Sequence, residues 1–472
     1  MIDARAAFPP RWIFVSSAIG VYAALVAVAP SPAAGGMLAT PLALAALAWW
    51  TLAKPHRWVG AFIAAAILLP PLPIPLGNSG PHPSLLFAAF GILAGALYLR
   101  YWRITAGPLE RALICLFLIL LGSAGFAAFY SGAPLAAQTL VRVLLFGIGV
   151  YLFFYTAYMR SDSAPPLVAP LFWAASVSAA IACVDFYYQL PAPAGFGPQF
   201  VWLETGEYYR RAQGIFYEAS TLGNFCAFFL VMIAVALTRA RKHAFVSRPA
   251  LFAGGALFSA ALLFSYSRSS IINLLVALAT LVWIERGRIR WRRAIPLLAV
   301  SVAAGAAAGY SLLPRFVETA WMRLSMSVVY FFDYTDAIFS GRFESWRLLL
   351  RFLTAHPWQA VFGIGYKTLP YSDYIGQRVI GDNMYLSMLI ETGVIGLASL
   401  LWLNLTILRT AHRVSRNAGP AASFLGTWVF CFWAGQMFQM FSADLLTYWR
   451  VLPVYFLVLA WAVRESSRTP AQ

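Results

Sequence analysis

The chain has 472 residues, of which 61% are apolar and only 11% are charged, and its formal net charge is +17. Charge-free apolar stretches recur from end to end, which the core of a soluble protein of this length does not need. A helix crosses a bilayer with about 20 apolar residues and satisfies its backbone polar groups internally. The composition therefore excludes a soluble protein and predicts an all-α, polytopic integral membrane bundle.

Hydropathy predicts about 12–14 transmembrane helices along the chain. The candidate spans, in chain order, lie near residues 12–30, 36–53, 58–75, 83–99, 109–130, 136–158, 166–190, 214–238, 249–267, 269–285, 294–312, 383–408, 421–441 and 446–463. The third span contains four prolines between positions 70 and 75, so we expect it to be broken or shortened. The chain thus divides into residues 1–312 with helices 1–11 and an outer loop at 191–213, a large outer loop at 313–382, and C-terminal helices with a tail at 383–472.

Lysine and arginine concentrate in alternate loops. If the N-terminus is cytoplasmic, the basic segments 54–57, 100–111, 239–248, 286–293 and 409–416 all fall on the cytoplasmic side. The loops after spans 1, 3 and 5 face the other way and contain no lysine or arginine. The positive-inside rule therefore predicts that both termini are cytoplasmic. Most of the net charge reflects this bias, so it does not indicate nucleic-acid binding.

The sequence lacks the motifs typical of disulfide-linked, metal-binding and nucleotide-binding proteins. All four cysteines fall inside predicted spans, so we expect no disulfide. No metal-ligand spacing of Cys and His occurs, and neither a P-loop nor a dinucleotide-binding fingerprint is present. We therefore expect no metal, no cofactor and no ATPase domain in this chain.

Basic residues that the topology does not explain gather at the outer side of the bundle. They are Arg142, inside span 6 near its outer end, and Arg210, Arg211, Arg268, Arg315, Arg323, Arg342, Arg347, Arg351, Lys367, Arg378 and Arg450. All but one are arginines, whose planar guanidinium binds phosphate or carboxylate at two points. The pattern predicts an anionic ligand at this side of the membrane.

The large loop contains an amphipathic segment. One set of positions at helical spacing is apolar and another is basic; the apolar set is Phe343, Trp346, Leu350 and Leu353, and the basic set is Arg342, Arg347 and Arg351. We predict a helix at the outer membrane boundary. It either caps the bundle by packing or presents its arginines to an anionic substrate, and the two roles are compatible.

Charged residues at membrane edges have both structural and functional interpretations. Arg142, Arg268 and Asp185 pair with each other or with helix-end carbonyls in the structural interpretation. Glu218 follows Arg210, Arg211 and Gln213, so four polar groups fall within nine residues. Such a concentration of polar groups favours a site.

Three stretches together resemble the O-antigen ligase and polymerase superfamily of bacterial envelope glycosyltransferases. They are Arg211-Ala-Gln-Gly-Ile-Phe-Tyr-Glu218, then Tyr266-Ser-Arg268-Ser-Ser, and a third that runs from His356-Pro357 through Gly363-Ile-Gly365-Tyr to Asp382-Asn383-Met-Tyr385 and Glu391-Thr-Gly393-Val-Ile-Gly396. The similarity covers about residues 200–400, and the third stretch is the most specific.

The resemblance implies a donor glycan linked through diphosphate to undecaprenol, used at the periplasmic face of the inner membrane without a nucleotide sugar. The acceptor is a sugar hydroxyl, either on another lipid-linked glycan (polymerase) or on the lipid A core (ligase). Family arginines hold the diphosphate. By this resemblance Arg211 and Arg268 are the first candidates, with Arg210, Arg142 and Arg342 in reserve.

The acceptor hydroxyl must lose a proton, which requires a carboxylate or imidazole within hydrogen-bond reach. Asp382 and Glu218 are the leading candidates, and His356 is the third. Asp382 could instead cap the helix that starts at Asn383, and His356 could be a surface residue that ends a helix.

Ligases of the superfamily carry a His where this chain has Asp382. This departure favours a polymerase of O-antigen or exopolysaccharide, with a ligase as the alternative and a lipid-linked glycan transporter or flippase as the second alternative. Transporters place ions near the membrane midplane and often contain internal repeats, and neither feature is evident here. Whether a chain-length regulator binds stays open.

Overall fold

The computed structural model describes residues 31–54, 56–72, 80–159, 167–191, 196–202, 208–238, 245–287, 342–417 and 419–468, with scattered residues elsewhere. The helices of these ranges are α1 Pro32–Ala53, α2 Arg57–Leu68, α3 Ser84–Leu97, α4 Pro108–Ser131, α5 Ala133–Tyr158, α6 Val168–Tyr188, α7 Ala219–Thr238, α8 Arg248–Phe264, α9 Arg268–Glu285, α10 Arg342–Ala355, α11 Pro357–Phe362, α12 Met384–Asn417, α13 Pro420–Gln439 and α14 Leu452–Arg468. The first and eleventh predicted spans, and the large loop up to residue 341, lie outside the described residues.

The predicted fold class is confirmed. Seven of the described helices are long and apolar enough to cross a membrane by length and composition, and α2, α3 and α8 are shorter apolar helices. Each predicted span that falls on described residues overlaps a helix. The protein is an all-α, polytopic membrane protein.

Prolines set two of the helix boundaries. Helix α2 ends at Leu68, before Pro70, so the third predicted span is shortened as expected. The last predicted span, 446–463, starts too early. A 3₁₀ turn occupies Leu445–Thr447, and α14 begins at Leu452 with Pro453 in its first turn. A helix tolerates proline there because the first N–H groups have no intrahelical partner, and residues 442–451 are left as a loop.

The outer loop at 191–213 contains a short antiparallel ribbon, which the sequence did not predict. Strand β1 (Phe200–Trp202) pairs with β2 (Tyr208–Arg210), with Val201 opposite Tyr209. The ribbon continues directly into residues 211–218, and it ties them to the outer end of the bundle.

The centre of the bundle combines aromatic packing with a buried amide cluster. Phe228 of α7 lies 4.4 Å from the Trp428 ring of α13 and 4.5 Å from the Tyr455 ring of α14, measured between ring centroids. Asn224 of α7 and Asn273 of α9 both donate to Oε1 of Gln436, at 2.7 and 2.8 Å. These contacts join four helices beneath the outer loops and give those loops a rigid base.

The predicted amphipathic helix exists as α10, but its faces are rotated from the prediction. Leu349 and Phe352 are its buried residues, whereas Leu350, predicted to pack, is 51% exposed. Arg347 and Arg351 are exposed, while Arg342 is half-buried. A turn of 3.6 residues places Arg342 nearer to Leu349 than to the other two arginines, so the basic face contains only Arg347 and Arg351.

Helix α12 is interrupted where the resemblance places its most specific motif. Gly393 has φ 71° and ψ −174°, a conformation open to glycine and strained for other residues. The interruption leaves the carbonyls of Ile390 and Glu391 without intrahelical donors, and they accept from the amides of Ile364 (3.1 Å) and Gly365 (2.9 Å). The glycine motif therefore docks one outer loop onto the broken helix.

Gly393→Ala is expected to destabilise the protein and to displace this loop. A Cβ at Gly393 would lie 1.9 Å from the carbonyl oxygen of Val361, and the backbone conformation alone costs on the order of 1–3 kcal/mol. The thermal unfolding midpoint of the purified protein in detergent should fall. Gly125→Ala on α4 is the control, because its Cβ meets open space; equal midpoints for the two variants would contradict this account.

Candidate active site

A polar cavity of ≈ 610 Å³ lies where the outer loops meet the helix ends. Helix α5, the segment after β2, the loops before α12 and the 442–451 loop all contribute to it. Its charged lining residues are Arg142, Arg211, Glu218, Arg342, Lys367, Asp382, Glu391 and Asp444. Cations and carboxylates are thus brought together from positions more than 300 residues apart.

Arg211 is fixed by the backbone on both sides. Its amide donates to Gln199 at 2.9 Å, and its Nε donates to the carbonyl of Ser265, in the turn between α8 and α9, at 2.8 Å. Burial lowers the pKa of Arg211, and the positive charges of Arg268 and Arg342 lower it further. Tyr448 and Glu218 act in the opposite direction and raise it. The guanidinium therefore occupies a site that favours an anion and has little freedom to move away.

Asp185 holds the segment that follows Arg211. Its carboxylate forms an ion pair with Arg210 at 3.1 Å and accepts the amides of Gln213 and Gly214, each at 3.1 Å. Arg210 is consequently a structural residue of this loop and does not line the cavity. The ion pair agrees with the structural interpretation of Asp185.

Glu218 lies at the start of α7, on the cavity wall. The hydroxyl of Thr221 donates to its Oε2 at 2.6 Å. Desolvation by burial raises the pKa of Glu218, while that hydrogen bond and the charges of Arg211 and Lys367 act in the opposite direction. A carboxylate whose pKa moves towards neutrality is better suited to accept a proton than an ordinary glutamate.

A second group of ions lies across the cavity. Nη1 of Arg142 donates to the carbonyl of Lys367 at 2.9 Å, and its guanidinium lies 4.6 Å from the ring centroid of Tyr371. Lys367 forms an ion pair with Asp444. Among the described residues, Arg142 and Arg211 bond only to carbonyls, whereas Lys367 and Arg342 have carboxylate partners.

Asp382 pairs with Arg342 and does not cap α12. Nε and Nη2 of Arg342 both lie 3.1 Å from Oδ2 of Asp382. The cap is supplied by Asn383, whose Oδ1 accepts the amide of Leu386 at 3.1 Å. The alternative in which Asp382 only caps the helix is therefore wrong.

Arg268 and His356 lie outside the cavity lining. Arg268 opens α9, close enough for its charge to act on Arg211. His356 precedes α11, stacks on Phe352 with ring centroids 4.5 Å apart, and has Nδ1 3.0 Å from the Phe352 carbonyl. These contacts match a surface histidine at a helix end.

Sequence reasoning missed two parts of the site. Asp444 falls between the predicted spans 421–441 and 446–463, and the second of these helices begins only at Leu452. Glu391, which the sequence analysis names only as part of the third stretch of the resemblance, accepts the amide of Leu369 at 3.3 Å and lines the cavity. A signal for Asp444 existed, because it is the only charged residue between α13 and Arg450.

A multi-pass membrane protein with a polar cavity at one end of its helices is the class that the fold and this site define. Residues 253–401 match a family model described as O-antigen ligase. A search of curated proteins returned no match. The matched stretch contains Arg268, the break of helix α12 at Gly393, and the Lys367, Asp382 and Glu391 side of the cavity; Arg211 and Glu218 lie outside it.

This match agrees with the predicted resemblance: over residues 253–401, about a third of its length, the chain is similar to the O-antigen ligase family.

Proposed function

We propose that this protein transfers a glycan from a lipid-linked diphosphate donor to a sugar hydroxyl at the periplasmic face of the inner membrane, as a polymerase of O-antigen or exopolysaccharide. The observation that carries the proposal is the pairing pattern in the cavity. Arg142 and Arg211 line it without carboxylate partners among the described residues, next to the half-buried carboxylate of Glu218.

A diphosphate leaving group matches the cationic side of the cavity. Arg211 and Arg142 form no ion pair with a carboxylate of the described residues, and Arg268 adds positive charge nearby. Fixed guanidinium groups stabilise negative charge that develops on the leaving oxygens without reorganising during the reaction. The energy of transfer is already stored in the sugar–phosphate bond, so neither ATP nor a nucleotide sugar is required.

Glu218 is the better placed of the two candidate bases. It carries a raised pKa and accepts one hydroxyl hydrogen bond, whereas Asp382 is engaged by Arg342 on one oxygen. In the proposed step the acceptor oxygen forms a bond to the anomeric carbon and its proton passes to Glu218. The bond from that carbon to the diphosphate oxygen breaks, and its electron pair leaves with the lipid diphosphate. A single displacement of this kind inverts the anomeric configuration.

Ligation to the lipid A core is the second candidate function. The description of the matched family favours it, whereas Asp382 at the position where ligases carry histidine favours polymerisation. No observation in the described residues favours a flippase, because the ions of the cavity gather at one end of the helices.

Reconstitution separates these functions. Purified protein in liposomes is given a synthetic undecaprenyl-diphosphate repeat unit, with or without lipid A core. Lengthening of the lipid-linked glycan is the expected result. Transfer only to the lipid A core would show that the protein is a ligase and not a polymerase. Translocation of the lipid-linked glycan without bond formation would overturn the proposal.

Asp382→Asn is expected to lower the transfer rate about tenfold, because neighbouring groups in one ion pair couple by roughly 0.5–3 kcal/mol. Asp382 then acts by orienting Arg342, so adding Arg342→Ala should cause little further loss. The control is Asp373→Asn, which removes a carboxylate of the same loop from an exposed pair with Arg378 (3.4 Å). A loss for Asp382→Asn as large as that for Glu218→Gln would identify Asp382 as the base instead.

A further inference from the structure

Arg450 belongs to the outer basic residues that the membrane topology does not explain, yet it does not line the cavity. It lies just before α14 and is only 6% exposed. Its guanidinium donates to three backbone carbonyls, those of Ala66, Leu69 and Ile215, and it forms no ion pair with a carboxylate of the described residues. Because a buried charge is costly unless its hydrogen bonds are satisfied, these carbonyls fix the position of the guanidinium.

Two of the three carbonyls belong to the C-terminal end of α2. Nε of Arg450 donates to Ala66 at 3.0 Å, and Nη2 donates to Leu69 at 2.9 Å. In a continuing helix the carbonyl of Ala66 would accept from residue 70, but Pro70 has no N–H to donate. Arg450 therefore supplies the donor that the proline removes, and its positive charge suits the negative end of the helix dipole.

The third carbonyl lies inside the segment that carries the two main candidate site residues. Nη1 of Arg450 donates to Ile215 at 2.5 Å. Ile215 is the middle residue of the 3₁₀ turn Gly214–Phe216, three positions before Glu218. One planar guanidinium thus ties this turn to the end of α2.

The residue after the turn is strained. Tyr217 has φ 56° and ψ 20°, a left-handed conformation that a non-glycine residue keeps only where the surrounding contacts fix it. Nε2 of Gln213 donates to the carbonyl of Tyr217 at 2.8 Å, and Arg450 holds Ile215 two positions earlier. Glu218 follows directly, so this conformation sets the direction of its side chain.

We propose that Arg450 is a positioning residue: by holding the carbonyl of Ile215 it keeps Glu218 on the cavity wall, without itself touching the substrate. This inference rests on the proposed role of Glu218 as the base of glycan transfer. The end of α2 is the anchor, because its carbonyls and that of the turn share one rigid donor group.

Arg450→Lys tests the proposal. Lysine keeps the positive charge but replaces the planar fork by a single ammonium, so it cannot hold α2 and the turn in the same geometry. We expect the transfer rate per folded protein at saturating donor to fall by about 10²-fold, the loss that a misplacement of about 1 Å causes. Binding of a lipid diphosphate without sugar should stay at the wild-type level, because Arg211 keeps its own bonds to Gln199 and Ser265.

The acid limb of the rate is a readout that a loss of stability alone does not move. The charged and titratable groups of the described residues that act on Glu218 are Arg211, Lys367, Asp382 and Tyr448. Arg450 is not one of them, and the lysine variant keeps its charge, so a shift of the limb reports the position of Glu218. A looser turn admits water, and because burial raises the pKa of Glu218, that pKa then falls towards the ordinary value of about 4.3. The acid limb of Arg450→Lys should therefore move to lower pH.

Trp433→Phe is the matched control for lost stability. It removes another buried hydrogen bond, from Nε1 of Trp433 to Oδ1 of Asn404 at 3.0 Å, and neither residue lines the cavity. Both variants should lower the thermal midpoint, because each leaves a buried polar group unpaired. Only Arg450→Lys should change the rate per folded protein and the acid limb; a wild-type rate and limb for Arg450→Lys would overturn the proposal.

A double-mutant cycle separates this proposal from the proposed function. Addition of Arg450→Lys to Glu218→Gln should cause little further loss, because both changes act through one group. A wild-type rate for Glu218→Gln alone would refute the base assignment itself. A slow Glu218→Gln whose loss is multiplied by Arg450→Lys would leave the base assignment standing and refute the positioning role.

Tyr217→Gly loosens the same turn from within and leaves Arg450 unchanged. Glycine adopts the left-handed conformation but also many others, so Glu218 loses its fixed direction. This variant should reproduce the slow rate and the shifted acid limb, and it tests the proposal even where Arg450→Lys fails to accumulate. A rate and limb equal to those of the wild type would contradict the dependence of Glu218 on this turn.

Discussion

Arg211→Ala is expected to reduce glycan transfer by about 10²–10³-fold, the loss that follows removal of one preorganised donor to a developing negative charge. Arg211 lines the cavity, and its Nε is already held by the Ser265 carbonyl, so its remaining N–H groups can face the ligand. The measurement is the initial rate of lengthening of a lipid-linked repeat unit by purified protein, together with binding of a lipid diphosphate without sugar.

Two further variants make this prediction specific. Arg211→Lys keeps a charge but loses the two-point geometry of the guanidinium, so it should recover only part of the activity. Arg347→Ala removes an exposed arginine of α10 and should behave like the wild type. Full activity of Arg211→Ala at normal protein levels would exclude Arg211 from the site.

Glu218→Gln is expected to lower the rate by about 10²–10⁴-fold, the usual contribution of a general base. The amide keeps the size of the side chain and can still accept from Thr221, but it cannot take the acceptor proton. A loss of donor binding in this variant, with the rate per bound substrate unchanged, would contradict a role in proton transfer.

The pH dependence gives an independent readout of the same residue. Burial raises the pKa of Glu218, and a base acts in its ionised form, so activity is present above that raised pKa and is lost as the pH falls through it. The acid limb of the rate should therefore lie above the ordinary range of a glutamate, about 4.3. Glu344→Gln, an exposed carboxyl variant on α10, should leave this limb unchanged.

Both expected effects arise from one short segment, and its sequence suggested them. Arg211 and Glu218 are seven positions apart, which made their proximity plausible before the fold was known. The sequence did not show which residues hold this segment in place. In the structure Asp185, Gln199 and Ser265, from three other places in the chain, form hydrogen bonds with it.

The other candidate site residues differ in the groups that they contact in the structure. Arg142 and Arg342 line the cavity, as anticipated for an anionic site, while Arg210 is committed to Asp185. His356 is engaged by its own helix end. The sequence treats these residues alike, because each is a charged or polar residue near a predicted membrane edge.

By itself the sequence determined that the chain is a helical membrane protein, the approximate positions of its described helices, and the superfamily that its motifs resemble. These properties follow from hydropathy summed over about 20 consecutive residues and from short motifs such as the one around Gly393. Only the tertiary structure decided which ions are neutralised and which face the cavity. Lys367 meets Asp444, and Arg142 meets the Lys367 carbonyl 225 residues away, because electrostatic pairing depends on distance in space, which local sequence does not encode.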